Sequence, residues 1–278
     1  MRLLSAALFA ATVMGARAAA NAVPNAPAPW QHPPSTSVCA TCHGDIATEH
    51  AGSAHAHAVD DPIYRAQLAL DPSPFCKNCH QATATGCTTC HSASITAKPD
   101  VCKSCHQFAF PDVKGHVSAD AWMQSTWTEA KGASCTTCHN PHDLHADGKP
   151  VGVEVTARRE EQQVVLLFTL RARTAHAFPT GDVFRQLEVV CESGNILARS
   201  TPLQRVYRLL PTGARRVAAD MRLLANGAPF HLEIRIDAKP GASIAYRVDH
   251  LRTPDALAHE LHITNHRTTF ATGSVLAP

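Results

Sequence analysis

The residues that stand out for chemistry are cysteines and histidines in a repeated pattern. The chain holds 11 Cys and 18 His, and the pattern C-x-x-C-H occurs five times. Its cysteines are Cys39, Cys42, Cys76, Cys79, Cys87, Cys90, Cys102, Cys105, Cys135 and Cys138, and the histidines that follow are His43, His80, His91, His106 and His139. At this spacing two thiols add to the vinyl groups of one haem, and the histidine binds its iron as the proximal ligand. Five motifs therefore predict five covalently attached haem c groups.

A zinc centre or a disulfide framework is the alternative for paired cysteines. Zinc sites share the C-x-x-C spacing, but a zinc protein is expected to leave some pairs without the trailing histidine. A disulfide framework gives no reason for a histidine after every pair. The repeated histidine therefore favours haem attachment.

On these motifs, residues 35–145 resemble the multihaem c-type cytochromes. The second and third motifs start 11 residues apart, and the third and fourth start 15 apart. Such short tethers predict that haems 2, 3 and 4 lie close together, with the first and fifth haems at the ends of the series.

Each iron also needs a sixth ligand or an open position. After the first 20 residues the methionines are only Met123 and Met221, so bis-histidine ligation is expected for most haems, with low potentials relative to His/Met haems. The histidines outside the motifs and before residue 146 are His32, His50, His55, His57, His116, His142 and His145.

The stretch from Cys39 to His57 resembles the first-haem region of the tetrahaem cytochromes linked to hydroxylamine oxidation. In that family a helix after the motif carries S-x-H, and its histidine reaches a haem. Ser53-Ala54-His55 matches this pattern, so the resemblance implies His55 as a distal ligand. The family's aromatic residue before the serine is absent, and His50 and His57 are the weaker alternatives.

Two more distal candidates lie in the haem segment. His142 follows the fifth motif as CTTCHNPH, which resembles multihaem cytochromes where the second histidine serves a neighbouring haem. His145 is a weaker candidate. His116 follows Gly115, which permits close backbone approach.

His176 opens the sequence HAFPTG at residues 176–181. H-x-x-P-T-G resembles a motif of multihaem cytochromes with a C-terminal β-domain, and residues 122–129 fit the same pattern. The resemblance implies that His176 ligates a haem and clips the two domains together, while the proline and glycine predict a rigid turn. The family has methionine after the fifth motif where this chain has Asn140. A buried histidine hydrogen-bonded among strands is the alternative.

The elements that must position these residues fall into two domains. Residues 35–145 have few large apolar side chains, which predicts a haem-packed domain of short helices and loops. Helices are expected around Asp45–Ala58, Pro62–Leu70 and Asp120–Ala130. Residues 146–278 are typical of an antiparallel β-sandwich. Its predicted strands are 151–155, 163–170, 185–191, 230–236 and 243–248, with a helix near Thr253–Glu260.

The remaining side chains have plainer expectations. Cys191 is predicted to be a small buried residue in a strand. Trp122 and Trp127 are expected to pack on haem faces. His231, His250, His259, His262 and His266 are expected to be ordinary strand or surface residues.

Residues 1–20 have a basic start, an apolar stretch and small residues at a cleavage position, which is typical of a signal peptide. An uncleaved single-span anchor is the alternative. Residues 21–34 are rich in Pro and Ala and predict a linker. Export implies the periplasm or the cell surface, compartments that are usually oxidising.

Charge separates the two halves. Residues 21–145 carry 6 Lys/Arg and 10 Asp/Glu, whereas residues 146–278 carry 17 and 13. Opposite net charges favour docking of the halves on each other, or on different partners. The whole chain has a formal charge of +2, which gives no signal for nucleic-acid binding.

Three functions follow from these features. The first is an electron relay between redox proteins, such as other cytochromes, a membrane quinol-oxidising complex or a terminal reductase. The second is a haem enzyme acting on a small nitrogen or sulfur compound at one open iron. The third is an oligomer or a subunit of a conductive haem assembly. We expect a carrier rather than an enzyme.

Overall fold

The computed structural model describes residues 36–70, 72–81, 86–91, 101–112, 114–119, 121, 123–130, 135–140, 142–143, 149–181 and 183–278. The predicted signal peptide and linker lie outside this part of the chain. Within it, no helix is both long and apolar enough to cross a membrane.

The helices before residue 140 are short. They are α1 (Thr36–Cys42), α2 (Gly44–Ala51), α3 (Pro62–Leu70), α4 (Pro74–His80), α5 (Lys103–His106), α6 (Thr126–Glu129) and α7 (Cys135–Cys138). Side chains cap two of them. The Asp61 carboxylate accepts hydrogen bonds from the amides of Ile63 and Tyr64 at 3.0 and 3.1 Å, and Ser73 accepts one from Phe75 at 3.3 Å. Such caps satisfy the free amides of a first turn.

The helix predicted over Pro62–Leu70 is confirmed as α3. The helix predicted over Asp45–Ala58 is wrong at its end, because α2 ends at Ala51 and Gly52 caps it. Beyond it the chain forms turns, and the Ser53 hydroxyl accepts a hydrogen bond from the amide of Ala56 at 3.1 Å. Local bonds of this kind compete with a helix.

The helix predicted over Asp120–Ala130 is also shorter than expected. Only α6 is helical, and Met123–Gln124 instead forms strand β2, which pairs antiparallel with β1 (Phe108–Ala109). Asp120 and Trp122 lie outside the described residues.

The part before residue 149 has almost no core of its own. Among its described residues, the buried apolar side chains are Ile63, Tyr64, Ala109 and Ala121. This burial is too small to hold some 110 residues in one fold, so a further apolar component is required.

Antiparallel sheets make up the chain after residue 150. The strands are β3 (Val151–Glu160), β4 (Gln163–Ala172), β5 (Gln186–Ser193), β6 (Ile196–Arg199), β7 (Arg205–Leu209), β8 (Arg215–Asp220), β9 (Pro229–Asp237), β10 (Ser243–Leu251) and β11 (Arg267–Leu276). They form a four-stranded sheet in the order β11-β10-β5-β6, a three-stranded sheet β3-β4-β9 and a hairpin β7-β8. The five predicted strands are confirmed, and the predicted helix is α8 (Asp255–Glu260).

The two larger sheets share one hydrophobic cluster. Leu166 and Phe168 of β4, Val189 of β5 and Ile244 of β10 are fully buried in it. Cys191 is buried there as predicted, and burial raises the pKa of its thiol to about 12. Side chains alone therefore hold this half together.

Candidate functional site

Each C-x-x-C-H motif forms a single tight turn. The amide of the motif histidine donates to the carbonyl of the first cysteine, at 2.9 Å for His43, His91, His106 and His139. The second motif lies inside α4, which ends at His80. Residues at i, i+3 and i+4 share one face of such a turn, so the two thiols and the imidazole of each motif point to the same side.

All eleven cysteines are free thiols, so the disulfide alternative finds no support in the structure. Thiols of different motifs approach one another. Cys79 is hydrogen-bonded to Cys105, which lowers the pKa of Cys105 to about 7, and Cys102 lies against Cys135. The fourth motif therefore lies against both the second and the fifth.

Two motif histidines face histidines from outside the motifs. The ring centres of His55 and His106 are 6.1 Å apart, and those of His91 and His142 are 6.4 Å apart. An iron with two axial imidazoles separates ring centres by about 6 Å, because each Fe–N bond is about 2 Å and each nitrogen lies about 1 Å from its ring centre. The ring-centre distances of both pairs match this separation.

The electrostatics of these rings favour metal binding. Burial, together with His55 and nearby cations, lowers the pKa of His106 to about 4. Burial also lowers the pKa of His55. Both imidazoles are therefore neutral at pH 7, which is the form that binds a metal.

His80 is oriented in the way a ligating histidine requires. Its Nδ1 lies 3.2 Å from the carbonyl oxygen of Ala58, which leaves Nε2 available. The ring of Tyr64 stacks parallel to the imidazole with centres 4.0 Å apart. The Tyr64 hydroxyl is buried and has no hydrogen-bond partner, which marks a place where a further polar group fits.

His176 is held by its own loop. Its Nδ1 lies 3.1 Å from the carbonyl oxygen of Ala177, so Nε2 is again available. Burial, with a smaller effect of nearby His139, lowers the pKa of His176. Gly181 has φ 109°, and a Cβ there would lie 2.8 Å from Arg185, so the predicted turn requires glycine.

Several predicted ligands have further charged neighbours or are exposed to solvent. His142 Nδ1 lies 3.7 Å from Glu49, and His50 is electrostatically coupled to His142. The exposed His116 lies 3.7 Å from Asp112 rather than beside a motif histidine. His57 is exposed. His145 and His32 lie outside the described residues. Haem ligation by these and by all other predicted histidines stays a prediction.

A cavity of about 530 Å³ lies between the fifth motif and the sheets. Cys138 lines it together with Glu154 and Arg171 of the β3-β4 hairpin and with Arg173. Its volume lies in the usual range for cofactor pockets, about 300–1,000 Å³. The free thiols, the paired imidazoles, the orphaned Tyr64 hydroxyl and this cavity together fit a covalently attached haem.

Ion pairs join the acidic half to the basic half, as the charge division predicts. Asp61, which caps α3, pairs with Arg252. Glu129 of α6 pairs with Arg205 at 3.0 Å and with Arg222 at 2.7 Å. Burial alone would raise the pKa of Glu129, but its hydrogen bonds from Arg222 and Ser125 outweigh burial and lower it. No local sequence pattern singles out Glu129 or its arginines, because their contacts span 76 and 93 residues.

No protein-family model and no curated protein matches the chain. Among solved structures, the chain is similar to the crystal structure of a penta-heme cytochrome c552 from Thermochromatium tepidum. The TM-score is 0.66 at 18% sequence identity, and the match covers 87% of this chain and 98% of that chain. The two chains therefore share a fold from the helical half through the sheets.

Proposed function

We propose that this protein is an exported multihaem c-type cytochrome that relays electrons between redox proteins. The observation that carries the proposal is the geometry of the five motif turns together with the two histidine pairs at iron-bridging distance. The fold shared with a penta-heme cytochrome supports it. Bound haem supplies one-electron chemistry, since its iron cycles between two oxidation states.

The chain's own residues attach and orient the haems. The ten motif thiols form the thioether bonds, and His43, His80, His91, His106 and His139 are the proximal ligands. His55 would bind the same iron as His106, and His142 the same iron as His91, because the ring centres of each pair lie 6.1 and 6.4 Å apart. His176 lies near His139 and is proposed as the ligand at the fifth motif.

The two halves have separate roles in this proposal. Residues 35–145 pack around haem, which replaces the missing side-chain core. The sheets of residues 146–278 form a β-sandwich, because both contribute to one hydrophobic cluster, and this sandwich supplies His176. The predicted signal peptide directs the chain to the periplasm, where other cytochromes, a quinol-oxidising complex or a terminal reductase are the expected partners.

A haem enzyme is the second candidate, and the surroundings of His80 favour it. Among the described residues no histidine ring faces His80, whereas the buried Tyr64 hydroxyl lies beside it without a partner. A haem held by His80 without a second protein ligand would have an open position beside this hydroxyl, which is the arrangement that a small nitrogen or sulfur substrate requires.

Haem content and carbon monoxide binding test both candidates on the matured, full-length protein. Pyridine haemochrome absorbance per chain is expected to give five covalent haems. In dithionite-reduced protein, a spectrum unchanged by carbon monoxide supports the relay, since every iron then has two protein ligands. A change in about one fifth of the haem signal supports the enzyme. Absence of covalent haem would overturn both.

A further inference from the structure

We propose that Glu129 is the positioning residue that holds His176 in place as an axial ligand. This inference rests on the proposed function and goes beyond it, because it assigns the ligand's geometry to a carboxylate on the opposite half of the molecule. Glu129 itself does not touch the iron site.

The carboxylate of Glu129 accepts hydrogen bonds from three segments of the chain. Its Oε2 accepts a hydrogen bond from the amide of Ala177 at 3.1 Å. Its Oε1 accepts from Arg222 at 2.7 Å and from Arg205 at 3.0 Å. Ser125 also donates to Oε1. The helix before the fifth motif, the loop that carries His176 and the β7-β8 hairpin therefore meet at Glu129.

Ala177 links this carboxylate to the ligand. Its amide is held by Glu129, while its carbonyl oxygen accepts from Nδ1 of neutral His176. A second contact joins the same helix and loop, since the hydroxyls of Thr126 and Thr180 are hydrogen-bonded to each other. Helix α6 thus holds the loop at two points that follow His176 in the chain.

The charges around Glu129 explain why a carboxylate is needed. The side chains of Arg205 and Arg222 are 13% and 8% exposed, so their positive charges are largely shielded from water. Asp220 is the other carboxylate that pairs with both arginines. Without Glu129, Asp220 is the one carboxylate of the described residues that pairs with both guanidiniums, and the loop amide loses its acceptor, which is costly in a buried site. The loop is then expected to shift, and His176 with it.

The experiment compares the wild-type matured holoprotein with four single variants: Glu129→Gln, Glu129→Asp, His176→Ala and Arg252→Gln. Asp keeps the negative charge, so folding is preserved, but its shorter side chain does not reach Ala177 and both arginines together. Arg252→Gln is the matched control, because it removes another ion pair between the halves without touching the loop. The readouts are covalent haem per chain, the high-spin band of the oxidised protein and carbon monoxide binding after reduction.

We expect His176→Ala to make about one further fifth of the haem reactive toward carbon monoxide, since one of five irons opens. Glu129→Gln and Glu129→Asp are expected to open the same haem partially, with five haems still attached and with Asp the milder change. Arg252→Gln is expected to match the wild-type spectrum.

The experiment distinguishes a wrong ligand assignment for His176 from a wrong positioning role for Glu129. If His176→Ala opens no iron, the assignment of His176 as a ligand is wrong. If His176→Ala opens one iron but both Glu129 variants keep the wild-type spectrum, the positioning role is wrong while the ligand assignment stands. If Arg252→Gln opens the same iron, the effect belongs to the interface in general and the role of Glu129 is likewise overturned.

Discussion

The two halves of this molecule solve the problem of a core in opposite ways. In the described part before residue 149, four apolar residues are buried, whereas the sheets bury a continuous cluster from both layers. The first half is rich in Cys and His residues, whereas the second half is rich in apolar strands. In the proposed function, haem supplies the core that the helical half lacks, while the sheets need only their own side chains.

The largest expected effect comes from withholding haem. In protein made without haem attachment, residues 36–145 are expected to lose protection from protease because no apolar group fills their centre, whereas residues 149–278 stay protected. Limited proteolysis followed by mass spectrometry, with matured protein alongside, measures this. Equal protection of both halves without haem would contradict the contrast.

A core substitution in the sheets is the converse test. Phe168 is fully buried in the shared cluster, and Phe168→Ala is expected to lower the free energy of unfolding of the sheets by about 3–5 kcal/mol. Denaturant unfolding followed by circular dichroism at the strand band measures the loss. Leu276→Ala, at a side chain that is 71% exposed, is the control and should have little effect.

The smallest expected effect concerns a histidine without a metal role. His250 of β10 packs against the rings of Phe178 and Phe270, and burial, with Arg185 and Arg252 nearby, lowers its pKa to about 3. Because the folded pKa lies below the unfolded value of about 6.5, the stability that His250 contributes is complete above about pH 6.5. It is lost as the pH falls toward about 3.

Replacing His250 by Gln is expected to flatten the pH dependence of unfolding by up to about 1.4 kcal/mol per pH unit below about pH 6. Denaturant midpoints of the sheets measured between pH 7.5 and 4.5 give this slope, with the exposed His259→Gln as control. Parallel curves for wild type and His250→Gln would show that the pKa of His250 is the same in the folded and the unfolded protein, which would contradict this prediction.

The strands with dense β-branched and apolar residues could be predicted from the sequence, as could the helix at 62–70. Strand β11 could not, because RTTFATGSVL mixes small and polar residues and gains its order from nine pairings with β10. Strands β6, β7 and β8 are short, and most of their side chains are exposed or half-exposed, so they carry no apolar pattern.

The site divides in the same way. The motif cysteines and histidines could be identified from the sequence because their spacing is local. His55 and His106 lie close together although 51 positions separate them in the sequence. Glu129 pairs with Arg222 although 93 positions separate these two residues. No local pattern reports such distances, since they depend on how loops without a side-chain core fold back.

In the proposed arrangement, the sixth ligand of the fifth haem comes from the second half of the chain. All five motifs precede HAFPTG in the sequence, so the thioether bonds of the fifth haem would form before His176 is in place. Low-spin ligation at the fifth motif would then report that the sheets have folded and that Glu129 has met its arginines.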